Sequence, residues 1–194
     1  MSTKLSLRNL RFSSAENLEN NRKICSSRDF FSCPVFSDDG FIENQNRMDK
    51  IHFGARDAAY CGCGFIALWN ILKYEGHAPD LPELIRSFEH GIYLSGVFGT
   101  SPFFLKRFIK KLGKKVKTCL SMRKFLKNEP EKGICYYMRP NFTAHYVAFT
   151  KTGQTEEGNL YRFYNCDICD CKAVSMKELF SKIPHKLLIF YKIE

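Results

Sequence analysis

No stretch of this chain approaches the roughly 20 consecutive apolar residues that a membrane-spanning helix needs. The opening residues, Met-Ser-Thr-Lys-Leu-Ser-Leu-Arg, lack a continuous apolar core, so a cleaved secretory signal is not expected. No internal repeat and no second domain can be read, and 194 residues suit a single domain with a real core. No nucleic-acid-binding module accompanies the basic residues, so nucleic acid is the weakest partner for a net charge of +10. What is plentiful is apolar and sulfur-bearing. A hydrophobic content of 44% with 18 phenylalanines argues for a packed globule. The nine cysteines (25, 33, 61, 63, 119, 135, 166, 169 and 171) are odd in number, in a chain too large to need a disulfide scaffold. They read as mostly reduced thiols and a cytoplasmic protein, working in its own cell or delivered into a host cell.

The charge is concentrated. Lys106, Arg107, Lys110, Lys111, Lys114, Lys115 and Lys117 follow one another with no acid among them. Such a run is either a solvated helix face or a docking surface for an acidic partner. The docking reading rests on Lys106, Arg107, Lys110 and Lys111.

Residues 1–45 are rich in serine, asparagine and charge without a sustained period, which predicts a polar, partly disordered arm ahead of a domain over 46–194. Helices follow first. One begins at Cys63 and runs through Ile66, Leu68, Trp69, Ile71 and Leu72 to a stop at Gly76. A second starts after Asp80, with Glu83 three residues on as capping partner. A third opens with Ser101-Pro102 and carries Leu105, Phe108, Ile109 and Leu112 at helical spacing. A short helix is predicted from Ser121 to about Lys127. Strands are predicted over 134–138, 146–150, 160–164 and 187–191, with a helix over 175–183 before the last. Helices first and strands afterwards give an α+β fold.

The chemistry centres on Cys63. It stands where an extended segment turns into the apolar helix, and a helix N-terminus presents unpaired N–H groups and a partial positive charge that favour a thiolate. A cysteine nucleophile also needs a histidine in reach and a group that orients the imidazole. His145, in Ala144-His145-Tyr146-Val147-Ala148-Phe149, opens an apolar strand that would hold it firmly yet accessibly. If that strand pairs with 160–165 as a hairpin, Asn165 emerges beside it as the orienting group, with Asp167 as the competing choice.

In order, Cys63-Gly64-x-x-Ala67-Leu68-x-x-x-Leu72, then Asp80-Leu81-x-Glu83-Leu84, then Gly99-Thr100-Ser101 resemble the papain-like peptidases, most of all the bacteriocin-leader-processing branch. The resemblance spans about residues 57–167. It implies a central nucleophile helix packed on a C-terminal antiparallel sheet, a protein or peptide substrate, and no cofactor. By position it implies Cys63 as nucleophile, His145 as base and Asn165 or Asp167 as orienting residue. The Cys63 backbone N–H would be half of the oxyanion hole. Two features depart from the pattern. Where the family places an oxyanion-binding glutamine, six residues before the nucleophile, this chain has Asp57, whose carboxylate would repel an oxyanion. Gln45, Asn46 or backbone N–H groups alone are the alternatives. Cys61 also precedes a glycine, but counting forward from it puts the polar Asn70 where an apolar residue belongs.

Two rivals stand beside a peptidase. The same thiol–imidazole pair serves a glutamine deamidase acting on a partner protein. Alternatively, Cys61-x-Cys63 with Cys166-x2-Cys169-x-Cys171 supplies enough thiols for a zinc-binding interaction protein.

Overall fold

Serine and aspartate open nearly every helix. The structure, a computed structural model, describes residues 12–27, 30, 34–97, 99–156, 158–166 and 173–194. Ser13 caps α1 (Ser14–Cys25), Asp57 caps α2 (Ala58–Cys61), Asp80 caps α4 (Leu81–Glu89) and Ser101 caps α5 (Pro102–Lys111). Ser121 and Ser175 do the same for α6 (Met122–Leu126) and α7 (Met176–Lys182). In each, the side-chain oxygen accepts the N–H three residues on, satisfying a donor the helix itself leaves orphaned. The exception among the described α-helices is α3 (Cys63–Tyr74), which follows α2 across Gly62 with no side-chain cap.

Every residue of α3 from Cys63 to Leu72 is buried. Ile66, Leu68 and Ile71 are wholly enclosed, and each contributes about 2 kcal/mol of apolar burial. Gly76 ends the helix at φ +78°, a left-handed conformation that suits glycine, and His77 N–H then reaches back to the Leu72 carbonyl at 2.9 Å. Asn70, polar yet fully buried, is explained by its partners. Its amide accepts from Ile42 N–H at 2.9 Å and donates to the Ile42 carbonyl at 2.8 Å, fixing the preceding loop to α3.

Two short strands, β1 (His52–Phe53) and β2 (Arg56–Asp57), pair ahead of α2. The main sheet has five antiparallel strands in the order β3-β7-β4-β5-β6. These are β3 (Val116–Cys119), β4 (Lys132–Met138), β5 (Ala144–Thr155), β6 (Gly158–Tyr164) and β7 (Leu187–Ile193). Alternation along the strands splits the core in two. Ile134, Tyr136, Tyr146 and Ala148 join the α3 side, whereas Cys135, Tyr137, Val147 and Phe149 pack with Phe125 of α6 and Phe180 of α7. The expected α+β class is therefore present, with helices on an antiparallel sheet, compatible with the arrangement the resemblance implies.

Part of the segment read as a loose polar arm is a docked helix. Buried Glu89 of α4 accepts hydrogen bonds from Ser14 Oγ and Asn17 Nδ2 of α1 and from Gly54 N–H at 2.9 Å. A single carboxylate thus ties α1 and the β1–β2 turn to α4. No helix among the described residues is long and apolar enough to cross a membrane.

Candidate active site

Cys63 stands at the N-terminal end of α3, His145 at the start of β5 and Asn165 just after β6, with Cys63 and His145 lining different cavities. Cys63 is the first residue of α3. A glycine must follow it, because a Cβ on Gly64 would lie 2.5 Å from Thr100 Oγ1 and 2.6 Å from Thr100 Cβ. The Gly99-Thr100-Ser101 segment is thereby pressed against the turn at Cys63, which accounts for those two motifs occurring together. Thr100 Oγ1 is itself buried there, with no hydrogen-bond partner among the described residues.

Cys63 lines a cleft of about 370 Å³ with Thr100, Tyr136, Ala144 and Tyr146. Tyr60 and Phe142, 60% and 71% exposed, form its aromatic rims. Arg56 lies over the Tyr60 ring at 5.1 Å and Lys186 over the Phe142 ring at 4.8 Å, contacts of cation–π type. The two neighbouring thiols differ in setting. Cys61 is held between the carbonyls of Asp57 at 3.4 Å and Phe53 at 3.8 Å, and burial, with Cys63 and Asp57 nearby, pushes it up to about 12. A thiol so held stays protonated and inert at neutral pH.

His145 is buried at the start of β5, opposite Tyr137 in the β4 register, and the two rings meet at 5.7 Å. It falls in the file of Val147 and Phe149 and lines a second cavity, of about 260 Å³, with Gln45, Ala59, Asn165 and Cys166. Tyr60 lines both cavities. The imidazole Nε2 lies 2.8 Å from the backbone carbonyl of Asn165. A carbonyl only accepts, so Nε2 carries the hydrogen in this bond and Nδ1 is the basic nitrogen of the neutral ring.

Asn165 therefore meets His145 through its main chain. The residue adopts φ +58°, a left-handed conformation that asparagine tolerates better than most side chains, and this turns its carbonyl toward the ring. Its side chain is committed to Gln45. Asn165 Oδ1 accepts from Gln45 N–H at 3.1 Å, and Asn165 Nδ2 donates to Gln45 Oε1 at 2.9 Å. Gln45 Nε2 in turn donates to the Ala59 carbonyl at 3.0 Å.

That last bond bears on Cys63. In an uninterrupted helix the Ala59 carbonyl would accept the N–H of Cys63, four residues on. Here the Gln45 amide satisfies it, and Cys63, as first residue of an uncapped helix, contributes an N–H with no intrahelical acceptor. The loop carrying Gln45 is anchored by Arg162 of β6, which bridges Asp39 and Glu43. The Arg162 hydrogen bond holds the Asp39 carboxyl down at about 2.

Asp57, where the resemblance places an oxyanion-binding glutamine, caps α2 by accepting Tyr60 N–H at 2.8 Å. Asp167, Cys169 and Cys171 lie outside the described residues. Among the described residues no three histidines, cysteines or acids form a metal-holding cluster. Of the basic run, Arg107 and Lys111 share a groove with α4 that Lys106 and Lys110 do not line.

No family model and no curated protein matches this chain. Among solved structures it is similar to the peptidase domain of Streptococcus ComA, described as a bi-functional ABC transporter involved in a quorum-sensing pathway. The TM-score is 0.48 at 17% identity, covering 67% of this chain and 90% of that one. Likeness of this degree identifies neither a family nor an activity.

Proposed function

We propose that this protein is a cysteine hydrolase of peptide bonds, with Cys63 as nucleophile and His145 as acid–base. The observation that carries the reading is the hydrogen-bonded chain from His145 Nε2 through Asn165 and Gln45 to the Ala59 carbonyl, one turn before Cys63. Such a chain fixes an imidazole and a nucleophile turn relative to each other, the preorganisation that thiol catalysis needs.

In the proposed reaction His145 Nδ1 takes the Cys63 thiol proton, and the thiolate attacks the amide carbon of an extended chain lying in the Tyr60–Phe142 cleft. The oxyanion forms against the Cys63 backbone N–H. Collapse breaks the C–N bond, the imidazolium gives its proton to the departing amine, and a thioester remains on Cys63. Water, deprotonated by His145, attacks the thioester and restores the thiol. Asn165 orients the imidazole through its carbonyl, and Asp167 remains the competing choice. No step requires a cofactor. Of the four cations read as partner-docking, Lys106, Arg107, Lys110 and Lys111, the reading is kept for Arg107 and Lys111, which line the groove against α4.

The test is digestion of a diverse peptide library, read by mass spectrometry, with the wild-type, Cys63→Ala and His145→Ala proteins. Paired fragments from the wild type alone support a peptidase. A gain of about one mass unit at glutamine without cleavage identifies a deamidase using the same pair. Full activity in Cys63→Ala ends the assignment.

A further inference from the structure

The face of α5 that carries Phe104, Arg107, Phe108 and Lys111 repeats at i, i+3, i+4 and i+7, one continuous stripe. Across from it α4 and its C-terminal end present Arg86 and His90, spaced i, i+4. The stripes enclose a groove of about 680 Å³, separate from both cavities at the Cys63 end. Its floor is aromatic: Phe104 and Phe108 stack at 5.6 Å over buried Phe88, at 5.4 Å and 4.9 Å from it, yet both keep part of their surface in the groove. Its rim is cationic and uncompensated. Arg86, Arg107 and Lys111 are exposed and have no carboxylate partner among the described residues, while the acid on the wall, Glu83, is held by Arg22 of α1.

A solvated helix face would not need its cations to converge with those of a second helix over two half-covered phenylalanines. We propose that this groove docks an acidic segment of a partner protein. An apolar side chain of that segment rests on Phe104 and Phe108, and flanking carboxylates meet Arg86, Arg107 and Lys111. The concave shape and aromatic floor favour a peptide over a bilayer, which presents a flat anionic plane, and over a nucleic-acid backbone, which brings charge without an apolar side chain. The volume is that of sites which bury a ligand of a few side chains. Guanidinium groups add geometric selectivity, since they bind carboxylates in a two-pronged fashion.

The basic run on one helix supplies an internal control. Arg107→Glu/Lys111→Glu and Lys106→Glu/Lys110→Glu change the net charge equally, but only the first pair lines the groove. The probe is a fluorescein-labelled peptide of glutamates around a single phenylalanine, followed by anisotropy against the full-length protein. Saturable binding is expected, falling about tenfold or more in the groove pair, since two attractions are lost and two repulsions gained, with little change in the control pair. Equal weakening by the two pairs, or no binding of the peptide, overturns the proposal. So does tighter, pair-insensitive binding to anionic vesicles or duplex DNA. Cys63→Ala must leave peptide binding intact, so failure here and failure of the hydrolase reading are told apart.

Discussion

Replacing Gln45 with alanine removes the middle of the chain that joins Asn165 to the turn before Cys63. Two partners are orphaned: Asn165 Nδ2 loses its acceptor at 2.9 Å, and the Ala59 carbonyl loses its donor at 3.0 Å. A buried polar group left unpaired costs about 1–3 kcal/mol, with the half-covered Ala59 carbonyl at the lower end. The sum is about 2–4 kcal/mol, a fall in Tm of roughly 4–16 °C for a protein of this size. A second effect is local. The freed Ala59 carbonyl is placed to take the Cys63 N–H, merging α2 with α3 and withdrawing the oxyanion donor, a loss of roughly 100- to 1000-fold in turnover. Thermal unfolding and peptide turnover read the two effects, with Gln45→Glu as comparison because it keeps an acceptor for Asn165 but sets a carboxylate against the Ala59 carbonyl in place of a donor. A Gln45→Ala protein that melts and turns over like the wild type would refute the reasoning.

Gly64→Ala should destabilise despite alanine's better helix propensity, because its Cβ collides with Thr100; overpacking of this kind costs about 1–3 kcal/mol, and unchanged unfolding in denaturant would contradict the contact. Thr100→Val removes a buried hydroxyl with no partner among the described residues and should raise Tm by a few degrees, whereas a large fall would mean the hydroxyl is bonded. Asn165→Gly tolerates the left-handed backbone and keeps the carbonyl on His145, so it should retain more activity than Asn165→Ala; an equal, near-complete loss in both would favour a side-chain role. Cys25 and Cys61, pushed up to about 12 chiefly by burial, bind their protons more tightly folded than unfolded. Their contribution is complete below the ordinary thiol range and is lost as pH rises from about 9 toward 12, so Cys61→Ala should flatten the alkaline fall in stability.

Elements with a cap or a period were legible in the sequence: Asp80, Ser101-Pro102 and the aromatic strands stand where expected, although the Glu83 carboxylate read as capping partner is bonded to Arg22 instead. α1 was not foreseen, although Ser13 and Glu16 have capping-box spacing, because its mean character is polar and its docking rests on a distant Glu89. β3 was missed for a related reason: Lys117 and Thr118 face water, and only pairing with β7 makes the segment a strand. At the site, the positions of Cys63 and His145 follow from local pattern. The use of Gln45 does not, since its partners lie 14 and 120 residues away. Likewise, Asn165 was identified for its side chain, but a positive φ, invisible in sequence, brings its carbonyl to the imidazole. The basic run could not be divided into groove and flank until α4 was known to face α5.

The central claim is that Cys63 and His145 act as a thiolate–imidazole pair, and site-resolved alkylation by iodoacetamide at about pH 6 tests it most directly. An ordinary cysteine, with a pKa of about 8.5, is nearly all thiol at that pH and reacts slowly. The account predicts that Cys63 alone is labelled fast, that Cys25 and Cys61 stay unlabelled, and that His145→Ala abolishes the preference. Labelling of Cys63 no faster than that of its companions would contradict it.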